Sequence, residues 1–268
     1  MSFWNDIFYN SGLSMAVPGM YGTFHIIAIG IILVLAVLAI GIFRNKSIKA
    51  MRAILITTSL ILMLLEVYKI MFYCYNPIAD SFTFDWSVFP WQFGIVSALI
   101  MFIAGISKEG KFQHGLLMFL ATFSLFWGAA MLFYPMYSFG GNIVLNIQAM
   151  AEVGLLFIVG LYLWACGRAK FSFKRFGGAI IVFIIVAAVA VGLNTLMYET
   201  GWAGPYAFNM FNISQYHLST IPYLGTVQSS VNPWVGVLVY AGVFICCAFI
   251  AVLVGRLIQK ITKPGNIV

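Results

Sequence analysis

The chain alternates between long apolar runs and short polar connections. Seven runs reach the ~20 mostly apolar residues that a bilayer-crossing helix requires: about 22 to 43, 53 to 74, 88 to 106, 115 to 134, 142 to 166, 177 to 198 and 234 to 255. None shows the period-two alternation of a barrel strand, so helices are the reading that leaves no backbone group unpaired in hydrocarbon. The pattern predicts an all-α polytopic membrane protein, with residues 1–268 forming one transmembrane domain of seven helices. No span visibly repeats another, and the odd count argues against a two-fold inverted transporter repeat.

Composition agrees with the pattern. Hydrophobic residues make up 63% of the chain and charged residues 8%, against roughly 25% charged in ordinary soluble domains. The first twenty residues lack the basic stretch that precedes the apolar core of a cleavable signal, and Phe3, Trp4, Phe8 and Tyr9 suit the headgroup zone. The four cysteines, Cys74, Cys166, Cys246 and Cys247, show neither CxxC nor Cys/His metal spacing and read as packing residues.

Charge sets direction. Thirteen of the fourteen Lys and Arg residues fall in alternate connections: Arg44, Lys46, Lys49 and Arg52; Lys108 and Lys111; Arg168, Lys170, Lys174 and Arg175; Arg256, Lys260 and Lys263. By the positive-inside rule these connections are cytoplasmic, which puts the N-terminus outside and the C-terminus inside a bacterial-type plasma membrane. The formal charge of +7 is then spread over loops that meet an anionic inner leaflet, and nucleic acid is not implied as a partner. On the opposite side the connection 199–233 is unusually long and rich in aromatic residues, Gly and Pro. Such loops serve as lids or plugs; the alternative is a collar resting on the membrane surface.

Polar residues inside spans are the candidate chemistry. Glu66 and Lys69 lie at i and i+3 in the second span and can pair on one helix face. Gln148 and Glu152 lie at i and i+4 in the fifth, with Asn146 near the same end. Gln92 in the third span, His25 in the first and Asn194 in the sixth fall at comparable depth toward the outer half. Together they predict a polar cavity open to the outer leaflet, able to hold a lipid headgroup, an ion or a small molecule. The competing reading is a satisfied ion pair with amides gluing helices together. No phosphate-binding Gly-rich loop, HExxH motif or lysine in the last span points to a nucleotide, metal or retinal cofactor. His114 reads as a solvated loop residue, and His217 as a candidate acid/base group in the outer loop.

The third run begins in "FDWSVFPWQFG", residues 84–94. Pro90 is tolerated in a helix's first turn, where its missing N–H breaks no bond, and Trp86 and Trp91 suit the interface. This segment, with "FHIIAIG", "FWGAAMLFYP", "FNMFNIS" and "VNPWVGVLVY" in their order along the chain, resembles the YwaF-like integral membrane family, to which the TMEM-type ether-phospholipid acyltransferase is related. The resemblance runs from His25 to the last span. It implies acyl chemistry on lipids, carried in catalytic members by a cysteine in span three and a histidine in span five. Those positions fall on Gly94 and Gln148, which supply neither a nucleophile nor a titratable base. Ser97, one turn after Gly94, would need an activating base that the sequence does not identify.

Three readings follow. The first is a non-catalytic protein that binds a membrane lipid or small ligand, serving as a subunit or regulator of a membrane assembly. The second is a lipid acyltransferase or hydrolase with altered catalytic residues. The third is a transporter using Glu66, Lys69 and Glu152 as an ion path.

Overall fold

The computed structural model describes residues 3–135, 138–169, 172–204, 208–221 and 223–262. Helices dominate: α1 (Phe3–Tyr9), α2 (Thr23–Phe43), α3 (Ile48–Cys74), α4 (Phe93–Ile106), α5 (Lys111–Phe119), α6 (Leu125–Phe133), α7 (Ile143–Ala165), α8 (Phe173–Thr200), α9 (Leu224–Ser230) and α10 (Pro233–Thr262). The strands among the described residues are two-residue pieces, Tyr75–Asn76 paired with Ser81–Phe82, in the turn after α3. A turn of π-helix, Leu120–Ser124, joins α5 to α6.

Six helical segments are long and apolar enough to cross a membrane: α2, α3, Lys111–Phe133, α7, α8 and Pro233–Lys260 of α10. The third apolar run differs from its expected form. It is helical only over the 14 residues of α4, about 21 Å at 1.5 Å per residue, short of the ~30 Å hydrocarbon core. Phe89 is extended, with ψ 133°, because the residue before a proline is pushed out of the helical region. Pro90 therefore precedes the helix instead of opening its first turn, and Gln92 is the N-cap. Ten of the fourteen residues of α4 are buried. Its apolarity comes from enclosure by other helices, as in a core helix.

The space beyond the start of α4 is filled by the long loop. Phe208, Met210, Phe211 and Ile213 are all buried, and the Phe211 ring lies 5.1 Å from that of Phe93. Phe211 and Asn212 adopt left-handed backbone (φ +60° and +55°), a costly conformation for a bulky residue. Asn194 holds the turn in place: its Oδ1 accepts from the Met210 N–H at 2.7 Å and its Nδ2 donates to the Met210 carbonyl at 3.2 Å. The loop is a plug inserted among the helices, which favours the plug over the surface collar.

Local signals define several ends. Ser47, Asn142 and Ser172 cap α3, α7 and α8 with side-chain oxygens that accept from free first-turn N–H groups. Gly201, at φ +65°, closes α8. Helices α3 and α4, α5 and α8, α6 and α7, and α2 and α7 are the main neighbours. Gly128 sets the α6–α7 separation, since a Cβ there would lie 2.8 Å from the Phe157 backbone nitrogen and 2.9 Å from the Val153 carbonyl oxygen. At the basic end, Arg52 donates to the Ser107 carbonyl at 2.8 Å, and Arg256 lies 5.0 Å from the centre of the Phe173 ring. Lys170 and Lys263, two of the thirteen loop cations, lie outside the described residues.

Candidate functional site

The C-terminal end of α3, the start of α4, the end of α6 and the first half of α7 meet at one end of the bundle. Between them lies a cavity of about 380 Å³, lined in part by Lys69, Gln92, Gln148 and Glu152, with Trp127 and Met131 from α6. Four of the eight polar residues singled out in the sequence thus share one space, and a fifth, Glu66, is tied to it. Its Oε2 accepts from the Lys69 ammonium at 2.6 Å, with the Glu66 side chain 5% and the Lys69 side chain 19% exposed. The other oxygen of Glu66 is buried and has no hydrogen-bond partner.

Glu152 is the centre of the arrangement. Gln148, one turn earlier on α7, donates through Nε2 to Glu152 Oε2 at 3.1 Å. The other oxygen lies against Gly94: a Cβ at position 94 would overlap Glu152 Oε1 and sit 2.6 Å from Cδ. Glycine leaves room for this close approach, because the carboxylate occupies the volume a side chain would take. Lys69 interacts electrostatically with both carboxylates, Glu66 and Glu152. The cluster is two acids and one base, with Tyr73 beside them on the cavity wall.

The remaining three candidates lie apart from this cavity's lining. His25 is fully buried; its Nδ1 accepts from the Tyr21 N–H at 2.9 Å and its Nε2 meets the Leu132 carbonyl at 2.8 Å. These bonds assign the proton to Nε2 and fasten the start of α2 to the end of α6. Asn146 accepts from the Gly140 N–H at 2.8 Å and donates to the Gly140 carbonyl at 2.9 Å. Asn194 clasps Met210 in the same way. All three bond backbone groups, with Asn146 Nδ2 also donating to Met15 Sδ at 3.2 Å, the gluing role of such residues in membranes.

Ser97 is fully buried and its hydroxyl has no hydrogen-bond partner, so no base is placed to activate it. Cys74 and Cys166 are buried, Cys247 is half-buried and Cys246 is exposed, and all four are free thiols. Among the described residues no group of three or more His, Cys, Asp or Glu side chains is placed to hold a metal ion.

Sequence reasoning missed Trp127 and Met131. They stand at i and i+4 on α6, a spacing that puts them on one face, but both are apolar and carry no polar mark. They also line a second cavity of about 400 Å³, walled by apolar side chains of α6, α9 and α10 including Phe126, Leu224 and Val243. Comparison with protein-family models, with curated proteins and with solved structures finds no match.

Proposed function

We propose that the chain is a non-catalytic membrane protein that holds a lipid or small ligand in the cavity around Glu152, as a subunit or regulator of a membrane assembly. The observation that carries this reading is the convergence of Lys69, Gln92, Gln148 and Glu152 on one space of about 380 Å³, within the roughly 300–1,000 Å³ typical of small-molecule sites. Ionisable groups within spans are retained against their insertion cost where they serve such a site.

The likeness to the YwaF-like family draws support from the same place. Positions 94 and 148, where that family's cysteine and histidine would fall, both abut the Glu152 carboxylate. Two positions 54 residues apart in sequence would have to approach each other in a paired catalytic site, and here they do so around a third residue. In this reading the Glu152 carboxylate stands where a side chain at position 94 would go, which favours binding over acyl transfer.

In this reading the membrane is crossed seven times, α4 being completed at its outer end by residues 84–92 and by the plug. The basic connections are cytoplasmic, the N-terminus lies outside, and the membrane is a bacterial plasma membrane. Native mass spectrometry of the purified protein tests the function. A retained lipid, ligand or protein partner that is lost on Glu152→Gln is the expected result, and a bare protein with no partner overturns it.

A further inference from the structure

We infer that the site takes an amphiphile with a protonated primary amine at one end and a single alkyl chain at the other. This rests on the binding reading above and adds the chemistry of the ligand. The first observation is the pairing of cavities. The polar one, at about 380 Å³, and the apolar one, at about 400 Å³, are separated by Trp127 and Met131, which line both. An indole plate and an unbranched thioether form the shared wall, and Met is the apolar side chain best able to move aside for a chain.

The second observation is the shortage of positive charge and of donors on the polar side. Among the described residues Glu66 and Glu152 face one cation, Lys69, so with both acids ionised the cluster carries one excess negative charge in a region where unpaired charge is costly. Glu66 has a buried carboxylate oxygen with no hydrogen-bond partner, and the hydrogen bond Glu152 receives from Gln148 goes to Oε2, leaving Oε1 against Gly94. A primary ammonium carries three donors and no acceptor. It offsets the charge and can donate to the carboxylate of Glu152, which lines the cavity. An anionic head would meet two carboxylates, and a neutral alcohol would leave the charge in place.

The apolar side fits one chain. Its wall is Phe126, Ala130, Leu224, Val227 and Val243 with Tyr223 at the α9 end. Among the described residues no charged side chain lines it, so a head group gains nothing by entering.

The test uses the full chain in nanodiscs of choline-headed phospholipid, with oleylamine, oleyl alcohol, oleate and butylamine as probes. Binding of the three long-chain probes, carrying bromine at mid-chain, is read as quenching of tryptophan fluorescence, with Trp127→Phe supplying the background from the other tryptophans. Butylamine is read by its competition with brominated oleylamine. Oleylamine binds about tenfold or more tightly than the alcohol or the oleate, as a charge-assisted hydrogen bond predicts. Glu152→Gln brings amine and alcohol to within about threefold, the scale of a lost charge term. Ala130→Phe, which fills the apolar cavity without adding a fluorophore read by the assay, removes oleylamine's advantage over butylamine. Competition by a single-chain amine-headed lysophospholipid assigns the ligand to the bilayer, and its absence assigns it to a free amine. Equal binding of the three long-chain probes overturns the amine assignment while leaving a lipid site standing; failure of every probe, with a bare protein by mass spectrometry, overturns the binding reading as well.

Discussion

Gln148 and Asn194 are both buried amides on membrane-length helices, 4% and 1% exposed, yet they do different work. Asn194 hydrogen-bonds the N–H and the carbonyl of one loop residue, Met210, and has little capacity left. Gln148 hydrogen-bonds a carboxylate that faces a cavity. The same contrast divides the other candidates: His25 and Asn146 stitch backbone, whereas Lys69, Gln92 and Glu152 line the open space. A polar residue in a span is therefore read from where its hydrogen bonds go. The clasping group is stability, and the cavity group is a candidate site.

The largest effect should come from Lys69→Met, which strands Glu66, 4% exposed, without its counter-ion. Removing one partner of a buried pair costs about 3–5 kcal/mol, measurable as a fall in the detergent denaturation midpoint. Glu66→Leu with Lys69→Met should recover most of it while leaving ligand retention impaired. A stable single variant would mean that the pair is not an enclosed one, and would move Glu66 from the edge of the site to its solvated mouth.

Asn194→Leu tests the clasping group. It leaves the Met210 N–H and carbonyl buried without partners, at about 1–3 kcal/mol for each stranded group. Hydrogen exchange at residues 208–213 should accelerate as the plug loosens, since Phe211 and Asn212 hold their left-handed backbone only while the turn is pinned. Asn146→Leu should destabilise similarly and release the segment at Gly140. Unchanged exchange in the Asn194 variant would show that aromatic packing against Phe93, at 5.1 Å, fixes the plug instead.

These tests also mark what the sequence could and could not say. Glu66–Lys69 and Gln148–Glu152 were legible because helix periodicity alone makes them neighbours. Six of the spans were legible for a similar reason, although α3 begins five residues before its apolar run and α10 continues seven residues beyond its own, and α4 is the exception. A helix enclosed by protein and one facing lipid are equally apolar, so composition cannot tell them apart. The partners of His25, Asn146 and Asn194 lie in other elements or in loops, and only tertiary structure shows that their polar atoms are already used. The contact of Gly94 with Glu152 was hidden by the same distance along the chain. The volume beside Gly94 is filled by the Glu152 carboxylate.

Gly94→Ala probes that filled space. The added methyl overlaps the Glu152 carboxylate, but the overlap is with the end of a flexible side chain, so the cost should be the ~1–3 kcal/mol of ordinary overpacking. Glu152→Ala removes the obstacle, and in that background Gly94→Ala should cost little. A coupling of about 0.5–3 kcal/mol in the double-mutant cycle would tie the two positions into one unit. Additive effects would place the carboxylate elsewhere in solution and weaken the proposed kinship of positions 94 and 148.

The smallest effect belongs to a polar contact of a third kind, outside both groups. Tyr216 in the long loop donates its hydroxyl to Glu199 Oε1 at 2.9 Å, an exposed contact, and its ring stacks on that of Tyr198 at 3.7 Å. The hydrogen bond to Glu199 raises the phenol's pKa above its ordinary value of 10, with desolvation adding in the same direction. Because the folded value is the higher one, the contact's contribution is fully present below pH 10 and is lost as pH climbs through the raised value. Ultraviolet titration of the phenolates should therefore show one tyrosine ionising later than in Glu199→Gln, while hydrogen exchange around residues 208–216 stays flat between pH 6 and 9 once corrected for intrinsic rates. If the plug instead loosens within that range, a group other than Tyr216 governs it. His217, whose ring centre lies 6.4 Å from that of Tyr198, would then be the residue to substitute next.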